Sequence, residues 1–280
     1  AHVMLYGAKE STLEINGAEA CRVKYISFGK GERPLVIIPG LSLRSIKGTA
    51  FPLAYMYRVF AKDFKVFVFD RRDEVREGFT VSGIADDTAE AMRTLGIKSA
   101  DVIGISQGGM AAQYLAVRYP ELVRTLILGV TLSRMNETVT AAVNGWVKSA
   151  GSGDIGAVVN DMIPKMYSDS YMKKYKRLLP VISKFTKLED PERFVILAKA
   201  CLTCDIYGEL DKIKCPVLVI GGKLDKIVTG EASEDIAEKL ISSGCKCKLF
   251  LYDELGHAAY EEAEDFNRKI LDFILDSNPE

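Results

Sequence analysis

Histidine is nearly absent from this chain, with two residues in 280, so chemistry that needs an imidazole has only His2 and His257 to draw on. No segment approaches the roughly 18 uninterrupted apolar residues needed to cross a bilayer, which excludes a membrane-spanning helix as an expectation. Neither sign of charge dominates: 37 basic and 38 acidic side chains leave a net charge of -1, and so weak a field does not suggest nucleic acid as a partner. The six cysteines, at positions 21, 201, 204, 215, 245 and 247, follow no secretory signal. A reduced, cytoplasmic setting fits them better than a disulfide scaffold. Cys201-Leu-Thr-Cys204 has the spacing of half a zinc site, but no second half follows, so no metal is expected and these thiols read as buried packing residues.

The remaining composition, 48% apolar and 27% charged, is that of a globular protein. Its length suits one large core with an insertion. Short β-rich runs alternate with helical patterns, which predicts an α/β fold, a mainly parallel sheet with helices on both faces. The candidate strands are Leu35–Ile38, Val66–Phe69, Asp101–Ile105, Thr125–Leu128, Val217–Ile220 and Lys248–Leu251, most of them continuous apolar runs suited to burial on both faces. Ala20–Phe28 adds antiparallel pairing at one edge. Residues suited to one buried helix face recur at helical spacing: Ile84, Ala85, Thr88, Met92 and Leu95, then Ile236, Ala237, Leu240 and Ile241, and then Phe266, Ile270, Phe273 and Ile274. After Thr131 the alternation stops, and helical patterns broken at Gly151-Ser152-Gly153 and Pro180 run to Gly208. Residues 132–208 are therefore expected to form a helical cap of about four helices. The core is expected from residues 1–131 and 209–280.

The chemistry centres on Gly104-x-Ser106-x-Gly108, where an apolar strand runs directly into a helix. A serine on such a sharp turn needs glycine neighbours, because its backbone is strained and the following helix passes close by. The turn lifts the hydroxyl above the sheet and aims a helix N-terminus at charge developing in acyl transfer. A serine hydroxyl is a weak nucleophile and requires a base. His257 sits between the last strand and the last helix, at the end of a strand where α/β ligands bind, whereas His2 lies at the N-terminus. The imidazole in turn needs a carboxylate to set its tautomer. Asp225, just beyond Val217–Ile220, is the first candidate, with Asp205 and Asp253 as fallbacks.

On these residues the chain closely resembles the α/β-hydrolase family, in which nucleophile, acid and histidine follow the order Ser106, Asp225, His257. The resemblance extends to Asp70-Arg71, Asp86-Asp87, the helical insertion and Cys215-Pro-Val-Leu-Val-Ile-Gly-Gly, and within the family it is similar to the esterases and lactonases related to 3-oxoadipate enol-lactonase. It implies the α/β-hydrolase fold, a four-helix cap, and an oxyanion hole formed by the amides of Gln107 and Leu41. Two departures stand out. Pro39 occupies a position where histidine is usual, and Arg71-Arg72-Asp73-Glu74-Val75-Arg76-Glu77 replaces a glycine-rich loop. Such a charged run reads as a solvated surface.

The expected activity is a serine hydrolase acting on an ester, lactone or thioester of a small to medium apolar substrate, without a cofactor. Carbon-carbon bond hydrolysis, acyl transfer, perhydrolysis or a slow-turnover ligand receptor are the alternatives. Trp146, Met162, Met166 and Tyr167, with Met172 and Phe185, supply a flexible apolar stock for the substrate pocket. Gly151-Ser-Gly153-Asp-Ile-Gly156 matches the dinucleotide fingerprint formally but follows a helical stretch, so it reads as an interhelical loop. Oligomeric state is open.

Overall fold

A computed structural model describes residues 5–16, 19–186 and 188–278; His2 lies outside the described residues. In chain order the first half comprises β1 (Lys9–Asn16), β2 (Ala20–Phe28), β3 (Arg33–Ile38), α1 (Ala50–Met56), β4 (Phe64–Arg72), α2 (Val81–Thr94), β5 (Ala100–Ile105), α3 (Gln107–Arg118) and β6 (Val123–Gly129). Five helices follow: α4 (Glu137–Gly151), α5 (Ile155–Met166), α6 (Asp169–Tyr175), α7 (Leu179–Phe185) and α8 (Pro191–Ala200). The chain then returns to the sheet through β7 (Val217–Gly222), α9 (Gly230–Ser242), β8 (Cys247–Tyr252), α10 (Ala259–Glu262) and α11 (Phe266–Ser277). No described helix is long and apolar enough to cross a membrane.

The strands form one eight-stranded sheet in the order β1-β2-β4-β3-β5-β6-β7-β8, antiparallel where β1 meets β2 and β2 meets β4, and parallel elsewhere. Because side chains alternate along a strand, each strand feeds two cores. Val36, Val102, Leu126, Leu128 and Val219 pack with Ile84 and Met92 of α2, Leu115 of α3 and Ile236 of α9. On the opposite face Ile37, Val68, Ile103, Ile127 and Ile220 pack with Phe266, Ile270 and Ile274 of α11. The parallel strands therefore all end on one side of the sheet.

Each expected strand is present; Ala20–Phe28 keeps its bounds, and the other six are extended by one to three residues at one or both ends. Four features differ from the sequence expectation. β1 had no anticipated counterpart, because among its eight residues only Ile15 is fully buried. β8 is an edge strand with Leu249 and Phe250 exposed, so it is not covered on both faces. Ile241 points to solvent although its neighbours on α9 are buried. The described residues between β6 and β7 hold five α-helices rather than four, with Gly151 ending α4, Ser152-Gly153 between α4 and α5, and Pro180 inside the first turn of α7, where its missing N–H is harmless.

Asp101, near the start of β5, is fully buried and accepts hydrogen bonds from Arg33 Nε and Nη2 at 2.8 and 3.2 Å, with Arg124 Nε 3.7 Å away. Two guanidinium groups thus depend on one carboxylate at the foot of the parallel sheet. Asp101→Ala should lower the unfolding free energy by roughly 2–3 kcal/mol in urea denaturation, since removing one partner of a buried pair strands the other charges. A change below about 1 kcal/mol would contradict this reading of the pair.

Candidate active site

Ser106 alone makes the turn between β5 and α3, at φ 53° and ψ −117°. A non-glycine residue held there costs on the order of 1–3 kcal/mol, so the surroundings must over-determine it. They do: Ser106 N donates to the Gly129 carbonyl at 2.8 Å, while its own carbonyl accepts from Thr131 Oγ1 at 2.6 Å and from Gly109 N at 2.9 Å. The flanking glycines are sterically required. A Cβ at Gly108 would strike the Ile38 carbonyl, and one at Gly104 would lie 2.6 Å from the Gly109 Cα. The amide of Gln107, first in α3, and that of Leu41, in the loop after β3, have no acceptor among the described residues.

His257 follows β8 and Asp225 follows β7, so both reach the same side of the sheet as Ser106. His257 Nδ1 and Asp225 Oδ2 are 2.9 Å apart, and both residues are buried. With a carboxylate as acceptor, the proton belongs on Nδ1, leaving Nε2 free to accept. Asp225 Oδ1 takes the amides of Ile227 and Val228 at 2.8 and 2.9 Å, which fixes the carboxylate plane. Burial pushes this carboxyl up, but the charge of His257, its hydrogen bond and the two amides outweigh that and hold it below its usual range. The fallback aspartates do other things: Asp253 pairs with Lys223, and Asp205 lies exposed beside Arg134.

Ser106 and His257 line one cavity of about 50 Å³, with Gly40 and Leu41 on one wall. Val139, Val143 and Trp146 of α4, at one-turn intervals, and Met162 and Met166 of α5 form the apolar roof. Trp146 Nε1 donates to Asp161 at 2.8 Å, so the indole is held between the two helices. Tyr167 departs from expectation: its hydroxyl bonds Glu261 and its ring stacks on Tyr171 at 4.3 Å, away from this lining. Met172 is likewise absent from the lining. Tyr260, Met110, Ile227 and Val228 also line the cavity and were not singled out from sequence, and Cys201, read there as a packing residue, lines it too. The spacing of Tyr260 three residues after His257 was the available signal.

The Arg71–Glu77 run is also divided rather than uniformly solvated. Arg71 is only 4% exposed, bonding Gln107 Oε1 and the Pro39 carbonyl, and Arg72 pairs with Asp87 at 2.7 Å. Arg76 and Glu77, by contrast, pair at the surface with Glu19 and Lys199. Gln107 itself reaches across to the inserted helices, where its Nε2 donates to the Leu197 carbonyl at 2.6 Å and to Cys201 Sγ at 3.1 Å.

Residues 33–155 match the alpha/beta hydrolase fold family, and residues 207–270 match the dienelactone hydrolase family. The chain is similar to 3-oxoadipate enol-lactonase 2 of Acinetobacter baylyi, 20% identical over 81% of this chain and 84% of the relative. It is also similar to pimeloyl-[acyl-carrier protein] methyl ester esterase of Neisseria meningitidis, 25% identical over 70% of this chain and 76% of the relative. Among solved structures, the enol-lactonase from Burkholderia xenovorans LB400 superposes with a TM-score of 0.76 at 21% identity, covering 94% of this chain and 99% of that one.

The depressed Asp225 carboxyl carries a stability consequence of definite sign. Its contribution is present above the unfolded-state value and is lost as pH falls through the lower folded-state value. Asp225→Asn should therefore be less stable than wild type in urea titrations at about pH 6, with the gap narrowing as pH falls below the unfolded-state value of 3.8. A gap unchanged across that interval would show that the carboxylate is not held ionised by its neighbours.

Proposed function

The chain has the α/β-hydrolase fold, and on that premise we propose that it is a serine hydrolase that cleaves a carboxylic ester, lactone or thioester through an acyl-enzyme. The observation that carries this reading is the strained Ser106 turn opening into the same cavity as His257, whose other ring nitrogen is bound to Asp225.

In this reading Ser106 Oγ attacks the substrate carbonyl carbon and its proton passes to His257 Nε2. Asp225 remains ionised and stabilises the imidazolium. The tetrahedral oxyanion is held by the Leu41 and Gln107 amides, both without internal acceptors, with the N-terminus of α3 behind it. Collapse breaks the bond to the leaving oxygen or sulfur, which takes the proton from His257. A water molecule then gives its proton to His257 and attacks the ester carbonyl, releasing the acid and restoring Ser106. Residues 132–208 act as the cap in this scheme, with α4 and α5 shaping the acyl pocket. A cavity of about 50 Å³ with a largely apolar roof suits a short acyl group, because burying each methylene there contributes about 0.8 kcal/mol and few are needed to fill it.

Ser106→Ala should abolish turnover of p-nitrophenyl butyrate and labelling by a fluorophosphonate probe; labelling that persists in the variant would reject Ser106 as nucleophile. Across p-nitrophenyl esters of increasing length, kcat/KM should peak at two to four acyl carbons, on the order of tenfold above octanoate. Trp146→Ala should move that optimum to longer chains. An optimum at eight or more carbons in the wild type would exclude the α4–α5 cavity as the acyl site.

A further inference from the structure

We propose that Arg71 is the positioning residue of the oxyanion hole, its guanidinium tying the loop that carries the Leu41 amide to Gln107, whose backbone amide is the second donor. The proposal rests on the serine-hydrolase reading above and names the residue that keeps that site in register. The two donors belong to separate elements, the loop after β3 and the N-terminus of α3, and oxyanion stabilisation depends on their spacing to within a few tenths of an ångström. Arg71 is placed to set that spacing. Its Nη2 donates to the Pro39 carbonyl at 2.6 Å, two residues before Leu41, and its Nε donates to Gln107 Oε1 at 3.1 Å.

Each end of this bridge is itself held. Gln107 Nε2 bonds the Leu197 carbonyl and Cys201 Sγ, which orients the side-chain amide so that Oε1 faces Arg71. On the loop side, Asp70 Oδ2 accepts the Ile46 amide at 2.8 Å, so the last residues of β4 grip the loop at both Pro39 and Ile46. Pro39 has no N–H and a fixed φ, so its carbonyl is the group through which this position is anchored.

The charge state fits the role. Arg71 is 4% exposed, no carboxylate among the described residues forms an ion pair with it, and both its bonds go to neutral acceptors. Burial pulls its pKa down to about 10, partly offset by the neighbouring Asp70 charge, so it stays protonated at neutral pH. A buried cation serving neutral carbonyls is costly for stability alone. It is favourable beside a centre where negative charge appears only in the transition state. Lysine has the charge but not the rigid fork that spans two acceptors.

The test compares wild type, Arg71→Met and Arg71→Lys with p-nitrophenyl butyrate as substrate and butylboronic acid as a transition-state mimic, with melting temperatures recorded in parallel. Arg71→Met should lower kcat about 30- to 100-fold with KM changed less than about threefold, and boronate affinity should fall in proportion to kcat/KM. Arg71→Lys should restore little of this. A folded Arg71→Met variant with kcat within threefold of wild type, a loss confined to KM, or full activity in Arg71→Lys overturns the proposal. If Arg71→Met does not fold, Gln107→Met removes one anchor while keeping the backbone donor. It should show the same loss of kcat, and wild-type kcat in that folded variant overturns the proposal. Ester turnover that is abolished by Ser106→Ala but indifferent to Arg71 sinks this inference alone; no turnover in wild type sinks the hydrolase reading with it.

Discussion

Everything at the site depends on the backbone turn at Ser106, a residue held in a conformation that side chains of its handedness avoid. The strain is sustained from three directions: β6 through Gly129, the segment after β6 through Thr131, and α3 through Gly109. None of these contacts could form if Gly104 or Gly108 carried a Cβ, because β3 and α3 pass too close. The sheet order matters for the same reason. Placing β3 and β6 on either side of β5 puts the β3 loop on one flank of the turn and the β6 end on the other. Stability generated across a buried parallel sheet thereby maintains one unfavourable torsion at the proposed nucleophile.

The inserted helices are fastened to this centre along two seams. On one side Ala258 N donates to the Met166 carbonyl at 2.8 Å and Ser168 binds Glu262 through both its amide and hydroxyl, tying the α5–α6 junction to the segment that follows His257. On the other side Gln107 reaches Leu197 and Cys201, and Arg193 of α8 donates to the carbonyls of Arg71 and Arg72 at 3.1 and 3.0 Å. Residues flanking the proposed nucleophile, base and oxyanion donors therefore also hold the cavity roof. Movement of those helices and geometry at the reacting centre are coupled through named hydrogen bonds rather than through the general bulk of the fold.

Much of this arrangement was legible in the residues alone. Continuous apolar strands and Gly104-x-Ser106-x-Gly108 located the parallel sheet and its turn, and the scarcity of histidine pointed to His257, which lines the same cavity as Ser106. The Asp225 contact with His257 followed from its place at the end of β7. What escaped depended on long-range packing. β1 lies at an edge and its alternation rests on only two apolar residues, Leu13 and Ile15, while Ile241 keeps helical spacing yet faces solvent. Arg71 and Arg72 sit in a run of charges that looks like surface, but the chain turns so that one ends under the Pro39 loop and the other against Asp87. Tyr167 has the composition of a pocket residue, but its hydroxyl is drawn to Glu261. For these residues the local sequence does not show which partner lies across the fold.

The central claim is that acyl transfer passes through the Ser106 hydroxyl while His257 and the two amides attend it. Rapid acid quenching during turnover of a slowly deacylating p-nitrophenyl ester, followed by peptide mass mapping, interrogates that directly. The account predicts one acyl group per chain, bound to the peptide spanning Ser106 and appearing with the burst of nitrophenol. Turnover with no acyl mass on that peptide, or with the acyl group on another residue, would contradict it.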